Sequence, residues 1–163
     1  RPVSRGELAK ALLEELDGLE DYIYLQQMRF DGRITVEKQI LVDPARARLP
    51  SFTLQPVIEN AFSHGLKACE EGGRILLRVW RQGRMLYVTV ADNGKGMTEE
   101  ELAALSEKMR QSEQTGKSIG LGNIFRRVSM LYPDTGKMQV FSRAGHGTVI
   151  RFEIPQGEEE ERA

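Results

Sequence analysis

Apolar side chains recur at helical spacing near the start of the chain and then alternate with polar ones. Residues 4–30 predict one long helix, and Ser4 with Glu7 predicts a capping box at its start, because each side chain satisfies a free backbone N–H of the other. Residues 33–42 alternate between apolar and polar positions up to an Asp-Pro pair, which predicts a strand that ends there. The chain therefore opens with a helix followed by a strand.

A second helix and a hairpin follow. Within residues 49–68 the helical pattern starts near Thr53, and Pro56 is tolerated in the first turn, where the N–H that it lacks has no helical partner. Residues 74–81 and 85–91 are separated by a short glycine-containing loop. They predict the clearest hairpin in the sequence.

The next segment combines a helix with a polar stretch. Thr98 and Glu101 repeat the capping-box spacing, which predicts a short helix that runs to about Met109. Residues 110–119 are polar and show no periodicity, so we expect them to form a mobile loop.

The last segments predict another helix and a second hairpin. The GLGN sequence at residues 120–123 opens a helix with apolar residues on one face. Residues 137–143 and 148–155 predict two strands around a Gly-His-Gly turn. Hairpins imply antiparallel pairing, and the helices must bury their apolar stripes. We therefore expect an α+β fold, a two-layer sandwich with a mixed, mostly antiparallel sheet and helices on one face.

Composition narrows the classes of protein that these elements form. The 163 residues fit one domain, and 40% hydrophobic with 29% charged residues is typical of a globular protein. The formal charge of −1 gives no reason to expect nucleic-acid binding. Cys69 is the only cysteine, which excludes an intrachain disulfide framework and a cysteine-rich zinc site.

The sequence contains no run that approaches the roughly 20 apolar residues of a membrane helix, and no signal-peptide pattern opens it. Because the first residue is Arg1 rather than Met, we interpret the chain as a fragment of a longer protein. The sequence leaves open whether that protein has a membrane-bound part upstream.

A loop with a carboxylate, DNGKGM at residues 92–97, comes directly after the first hairpin. Its glycines let the backbone approach a flat ligand, and Asp92 at the strand end would face a crevice. A buried carboxylate needs hydrogen-bond donors, and the exocyclic amine of adenine would supply one. The alternative is an ordinary strand-to-helix turn, because Asp-Asn-Gly is favourable turn chemistry.

Two further groups of residues suggest a phosphate and a cation. The glycines at residues 120–123 precede a helix whose free N–H groups would make an anion site, although packing also explains them. Asn60 and His64 lie four residues apart on one helical face, and an amide oxygen is a suitable ligand for Mg²⁺. A capping role for Asn60 and a helix-closing role for His64 are the alternative. The sequence has neither a Walker A lysine motif nor HExxH.

The order of these motifs resembles the GHKL superfamily of ATP-binding domains. An asparagine helix, DxGxG after a hairpin, a polar loop, GLGN and a Gly-Thr strand follow one another across residues 49–155. Within histidine kinases, LQPVIENAFSHG, GLGNIFRRVSMLY and GHGTVIRFEIP resemble the LytS/YesM type, as does LEDYIYLQQMRF at residues 19–30. The resemblance implies a Bergerat-type fold, ATP with Mg²⁺ as cofactors and protein-histidine kinase activity.

The resemblance also implies a role for each motif. Asn60 would bind the Mg²⁺ that bridges the phosphates, Asp92 would bind the adenine amine, and Thr148 would support the adenine site. Residues 106–119 would form a lid that orders over the nucleotide. The nucleotide-binding residues that the resemblance implies are Asn60, His64, Lys67, Asp92, Gly94, Gly96, Met97, Lys117, Gly120, Leu121, Gly122, Asn123 and Thr148.

One departure from the family pattern concerns a phosphate contact. Family members often carry a lysine before the histidine of the asparagine helix, whereas this chain has Ser63. Lys67 and Lys117 are the candidates to replace that contact.

A second departure concerns ATP hydrolysis. The gyrase and chaperone branches use a glutamate four residues before the magnesium asparagine to activate water, and here Pro56 occupies that position. Glu59 is adjacent to Asn60 and points elsewhere on the helix. This favours phosphoryl transfer to a partner over hydrolysis, with Glu59 and His64 as candidates for assisting it and no catalytic residue certain.

The resemblance places the phosphoacceptor histidine outside this chain. The two histidines, His64 and His146, lie on the predicted nucleotide-site helix and in a hairpin turn. We therefore expect the catalytic domain of a two-component sensor kinase, with an upstream phosphoacceptor and dimerisation region, a response regulator as partner and a homodimeric full-length protein. The alternatives are a non-catalytic nucleotide-sensing module and an anti-sigma-factor-type serine kinase of the same superfamily.

This interpretation divides the chain into three parts. Residues 1–32 would be a helical linker from the acceptor region, residues 33–156 the catalytic domain, and residues 157–163 a charged, frayed tail. We expect a cytoplasmic domain, because a single cysteine fits a reducing compartment.

Overall fold

The computed structural model describes residues 9–66, 72–115 and 120–157, which form a two-layer α+β fold. The strands of the described residues are β1 (Ala9–Ala11), β2 (Ile34–Ile40), β3 (Arg48–Pro50), β4 (Gly73–Gln82), β5 (Met85–Asp92), β6 (Lys137–Arg143) and β7 (Gly147–Pro155). Their helices are α1 (Leu12–Arg29), α2 (Leu54–Asn60) with a π-helical turn after it (Ala61–Gly65), α3 (Glu99–Thr115) and α4 (Leu121–Leu131). None of these helices combines the length and apolar character of a membrane span.

The larger sheet of the described residues has the strand order β2-β4-β5-β7-β6. Strands β2 and β4 are parallel, and every other neighbouring pair in this sheet is antiparallel. The predicted mixed, mostly antiparallel sheet and both predicted hairpins are therefore confirmed. In the β5–β7 register Asp92 lies opposite Thr148, so two residues distant in sequence meet at one end of the sheet.

One face of the sheet forms the core with the helices. Alternate residues along the central strands point to that face and are buried, as expected for a sheet with one packed side. The largest fully buried side chains are Phe62, Phe152, Leu12, Leu19, Ile34, Leu49, Leu54, Ile58, Leu66, Ile75, Leu77 and Leu86. Helices and sheet thus share one core, and α1 is part of it.

The first helix begins later than the sequence predicts. Strand β1 pairs antiparallel with β3, and α1 begins only at Leu12, so the prediction of a helix from residue 4 is wrong. Ser4 and Glu7 lie outside the described residues. Strand pairing with a distant segment overrides the local helical spacing of the apolar residues here.

Helix α3 extends further than predicted. The capping box at its start is confirmed, since Thr98 N–H donates to Glu101 at 3.0 Å and Glu101 N–H donates to the Thr98 hydroxyl at 3.1 Å. The helix continues to Thr115, so the predicted end near Met109 is wrong, and residues 110–115 are helical rather than a loop. The rest of the predicted lid, residues 116–119, lies outside the described residues. Arginine, glutamine and glutamate are good helix formers, so a helix continues here without apolar periodicity.

Candidate functional site

A cavity of about 360 Å³ opens at the end of the sheet where β5 and β7 meet. Ligand pockets in proteins are typically about 300–1,000 Å³. The π-helical turn, the loop after β5, helices α3 and α4 and strands β6 and β7 all contribute to its wall. The lining residues are Asn60, His64, Asp92, Lys95, Gly96, Met97, Glu101, Leu105, Lys108, Leu121, Val140 and Thr148.

The structure brings together about half of the residues that the sequence proposes for nucleotide binding. Those that line the cavity are Asn60, His64, Asp92, Gly96, Met97, Leu121 and Thr148. Gly94, Gly120, Gly122 and Asn123 are not among its lining residues in the described part of the chain. Lys67 and Lys117 lie outside the described residues.

Sequence reasoning missed several residues of the cavity wall. Lys95 lies inside the DNGKGM loop, for which the sequence argument concerns only the aspartate, the glycines and the methionine. Glu101, Leu105 and Lys108 lie four and three residues apart, a helical-face spacing that would have identified them once α3 was placed beside the loop. Val140 lies in the predicted β6–β7 hairpin, but no local pattern reveals that this hairpin borders the cavity.

Asp92 is held at the end of β5 with its carboxylate at the cavity. One carboxylate oxygen accepts a hydrogen bond of 2.9 Å from Gly94 N–H. Burial raises the pKa of Asp92 above its ordinary value, while the backbone hydrogen bonds of Gly94 and Thr148 act in the opposite direction. The side chain is therefore a partly desolvated acceptor, whose charged form a further hydrogen-bond donor would stabilise.

The loop after β5 lies directly against the β6–β7 turn, and Gly96 allows this close approach. A β-carbon at Gly96, whose φ is +67°, would lie 2.0 Å from the carbonyl oxygen of Arg143. Gly145 N–H, in the turn itself, donates to the Lys95 carbonyl at 2.7 Å. A side chain at Gly96 would separate the two segments, so this glycine serves close approach as well as a positive φ, whereas a β-carbon at Gly145 would meet nothing within 4 Å.

A single hydroxyl, that of Ser142 on β6, connects three parts of the cavity wall. It accepts a hydrogen bond of 2.8 Å from Met97 N–H and lies 2.8 Å from the Thr148 hydroxyl. Its distance to the Gly147 carbonyl oxygen is 3.0 Å, within hydrogen-bonding range. Ser142 thus fixes the loop and the last strand relative to each other, a role that its place in a polar strand did not predict.

Another part of the cavity wall is formed where α2 ends. Asn60 is the last residue of α2, and the π-helical turn follows, with Leu66 N–H donating to the Ala61 carbonyl at 2.9 Å. Single π-turns within helices are frequent at functional sites, and this one lets both Asn60 and His64 line the cavity. Glu59 is not a lining residue, and its carboxylate accepts a hydrogen bond of 3.0 Å from Gln55.

The charged groups of the cavity fit a polyphosphate with a divalent cation better than a metal held by protein alone. Within residues 9–66, 72–115 and 120–157, no three His, Cys, Asp or Glu side chains cluster as metal ligands. Mg²⁺ characteristically takes one or two protein ligands and completes its shell with phosphate oxygens and water, which fits Asn60 as an amide ligand. Lys95 and Lys108 add positive charge to the wall.

Comparison with known proteins identifies relatives of this chain. Residues 51–158 match the family described as histidine kinase-, DNA gyrase B-, and HSP90-like ATPases. The sensor protein kinase HptS of Staphylococcus aureus (strain USA300) is 30% identical over 144 residues, which covers 88% of this chain. The chain spans only 27% of the length of that relative.

Solved structures share the fold at lower identity. The catalytic domain of histidine kinase ThkA superposes with a TM-score of 0.62 at 22% identity, covering 93% of this chain and 97% of that one. Histidine kinase ThkA in complex with the response regulator protein TrrA gives a TM-score of 0.57 at 19% identity, covering 95% and 42%. At identities this low, the superpositions show a common fold alone.

Proposed function

The chain belongs to the family of histidine kinase-, DNA gyrase B- and HSP90-like ATPases, and on that premise we propose that it is the ATP-binding catalytic domain of a sensor histidine kinase. It transfers the γ-phosphoryl group of Mg²⁺-ATP to a histidine outside residues 1–163. The convergence of Asp92, Thr148 and Asn60 on one cavity carries this proposal.

Asp92 and its surroundings form the adenine end of the site. The carboxylate accepts a hydrogen bond from the exocyclic amine, and its partly desolvated position strengthens that hydrogen bond. Gly96 and Met97 form the adjoining wall, held to the last hairpin by the Ser142 hydroxyl. The loop is thus preorganised, so little conformational entropy is lost on binding.

Asn60 forms the phosphate end. Asn60 supplies the protein ligand of Mg²⁺, and Lys95 and Lys108, which also line the cavity, add positive charge that offsets part of the phosphate charge. Bound Mg²⁺-ATP supplies the γ-phosphoryl group that is transferred. The protein acts mainly by positioning this group and by stabilising its negative charge.

The residues near Asn60 favour transfer over hydrolysis. Pro56 occupies the position from which related ATPases activate water, and proline has no group that accepts a proton. Glu59 is engaged by Gln55 and does not line the cavity. Neither Pro56 nor Glu59 therefore supplies a general base for water at the γ-phosphate.

The acceptor and the partners belong to the remainder of the protein. His146 is exposed in the β6–β7 turn, and His64 lines the nucleotide cavity, where it cannot present itself in line to a phosphate held by the same turn. We assign the acceptor to an upstream dimerisation region of a LytS/YesM-type, homodimeric kinase, with residues 1–32 leading in from it. The next partner is a response regulator, the class of protein with which ThkA was crystallised. We also propose that this domain lies in the cytoplasm.

A phosphorylation experiment on two chain lengths tests the proposal. Radiolabelled ATP is supplied to residues 1–163 and to a longer chain with the upstream region, and acid-labile, base-stable phosphate is counted. We expect Mg²⁺-ATP binding by both and phosphohistidine only on the longer chain, because tethering makes the encounter intramolecular. Phosphohistidine on residues 1–163 alone would contradict the acceptor assignment. Its absence from a folded, ATP-binding longer chain would favour a nucleotide-sensing module.

A further inference from the structure

Helix α2, which ends at Asn60, begins without a cap of its own. The Thr53 hydroxyl donates to the Pro50 carbonyl oxygen and makes no capping bond to the helix. The N–H groups of Thr53 and Leu54 have no acceptor inside the helix, as at every helix start, and Pro56 has no N–H at all. Thr53 is 1% exposed and Leu54 is 0% exposed, so water is a poor substitute.

A carboxylate from another helix takes the place of the missing cap. Glu15 of α1 accepts a hydrogen bond of 2.7 Å from Thr53 N–H and a longer one of 3.4 Å from Leu54 N–H. A negative charge at a helix start also interacts favourably with the helix dipole. The start of α2 is therefore fixed by α1, a helix 38 residues away in sequence.

Helix α4 holds the same segment from the other side. The Arg127 guanidinium donates a hydrogen bond to the Ser51 carbonyl oxygen, two residues before Thr53. Burial lowers the pKa of Arg127, and the Glu15 carboxylate opposes that shift, so the two side chains lie close enough to interact. Glu15 and Arg127 thus act together on residues 51–54, which connect β3 to α2.

Helices α2 and α4 both carry residues of the nucleotide cavity. Asn60 lies roughly 10 Å along the axis from Thr53, at 1.5 Å per residue, so a tilt at the start of α2 displaces its amide. Leu121, at the start of α4, lines the same cavity. Helix α2 is only seven residues long and cannot hold its own geometry without such contacts.

We propose that Glu15 is a positioning residue of the nucleotide site, which fixes α2 so that Asn60 reaches the magnesium and phosphate end of the bound nucleotide. The proposal rests on the function proposed above and assigns part of that site to α1. Glu15 touches neither cavity nor nucleotide, and it acts through the backbone of Thr53 and Leu54. Its effect is therefore specific to the phosphates and absent from adenosine, which contacts the other end.

The experiment compares Glu15→Ala and Glu15→Gln with the matched control Glu14→Ala. Glu14 is the neighbouring carboxylate, exposed on the same helix. Calorimetry gives the affinity for Mg²⁺-ATP, and a chemical-shift titration gives the affinity for adenosine. We expect Mg²⁺-ATP to bind roughly two- to thirtyfold more weakly to Glu15→Ala, the range to which a lost helix cap of about 0.5–2 kcal/mol corresponds. The affinity for adenosine stays at the wild-type value. Glu15→Gln recovers most of the loss, because its amide oxygen still accepts from Thr53 N–H.

Each remaining outcome decides between explanations. Equal weakening of Mg²⁺-ATP and adenosine, or Mg²⁺-ATP affinity equal to that of Glu14→Ala, would overturn the positioning role. If Glu15→Ala does not fold, Arg127→Met, which releases Ser51 from the other side, must show the same selective loss of Mg²⁺-ATP affinity. A ratio of Mg²⁺-ATP affinity to adenosine affinity equal to that of the wild type in Arg127→Met would then overturn the proposal. Wild-type protein that binds neither ligand would instead refute the proposed function, and the positioning role with it.

Discussion

Gly147 lies so close to Asp92 that a β-carbon on the glycine would sit 2.0 Å from the aspartate carbonyl oxygen. The φ of Gly147 is +103°, a conformation that side chains other than hydrogen rarely allow. The first residue of β7 therefore determines how close the carboxylate loop lies to the last hairpin. A glycine in one strand and a carboxylate at the end of another form one structural unit of the site.

This contact predicts that Gly147→Ala is much more harmful than an alanine at another positive-φ glycine nearby. Gly145 has φ of +81°, and a β-carbon there meets nothing within 4 Å. We expect Gly145→Ala to cost only the conformational strain, about 1–2 kcal/mol, and Gly147→Ala to cost clearly more, because the loop must also move. Urea unfolding of both variants measures the difference.

Binding gives the second readout for these two glycines. Gly145→Ala should keep the Mg²⁺-ATP affinity of the wild type, whereas Gly147→Ala displaces Asp92 and weakens it. Equal losses of stability in the two variants would mean that the close approach has no energetic consequence.

Asp92→Asn should stabilise the protein that has no nucleotide. Burial raises the pKa of Asp92 in the folded state. The stability due to this group is therefore fully present below the unfolded value of about 3.9 and is lost as the pH rises through the raised folded pKa. Asparagine does not titrate. We expect the variant to unfold at a higher temperature than the wild type at pH 7 and at a similar temperature near pH 3.

The same substitution should weaken ATP binding. Asparagine keeps an acceptor for Gly94 N–H but presents donors to the adenine amine and loses the charge. A charge-assisted hydrogen bond is worth about 1.5–3 kcal/mol, so calorimetry should show that Asp92→Asn binds ATP roughly tenfold more weakly than the wild type, or more weakly still. Asp17→Asn, at an exposed position of α1, is the control. Unchanged affinity in folded Asp92→Asn would remove Asp92 from adenine recognition.

The sequence predicted the parts of the site that local chemistry determines. Asp92 at a strand end, Asn60 four residues before His64 on one helical face and the Gly-Thr start of the last strand are each recognisable from neighbouring residues. Ser142 and Val140 were missed because, although the β6–β7 hairpin itself is predicted, their roles depend on its position beside the loop after β5, which is distant in sequence. Glu15 was missed for the same reason, since the backbone groups that it caps belong to another segment.

The errors in element boundaries also have a physical explanation. Strand β1 forms because β3 offers it a partner, and apolar periodicity contains no information about that partner. The end of α3 was placed too early because periodicity detects a buried stripe, whereas a helix continues on backbone propensity alone.

The capping box of α3 gives a stability prediction. Thr98→Ala removes the hydroxyl that accepts from Glu101 N–H, which should cost about 1 kcal/mol in urea unfolding. Ser106→Ala, at an exposed position within the helix, should be neutral or stabilising. The hydrogen bonds from Thr98 lower the pKa of Glu101, so the contribution of this carboxylate is present above its unfolded pKa and is lost as the pH falls through the lowered value. Equal effects of the two alanines would show that the cap contributes nothing.

Asn60→Ala separates a metal ligand from a structural asparagine. If the Asn60 amide oxygen binds Mg²⁺ between the phosphates, its removal weakens Mg²⁺-ATP binding but leaves magnesium-free ATP binding nearly unchanged, because only the metal-bound complex uses that oxygen. A structural asparagine at the end of α2 would weaken both equally, since misplacing the π-helical turn also moves His64. Calorimetry with Mg²⁺ and with a chelator distinguishes the two cases. Ser63→Ala, exposed in the same turn, is the control and should bind both forms as the wild type does. Equal losses for Asn60→Ala would refute the ligand assignment.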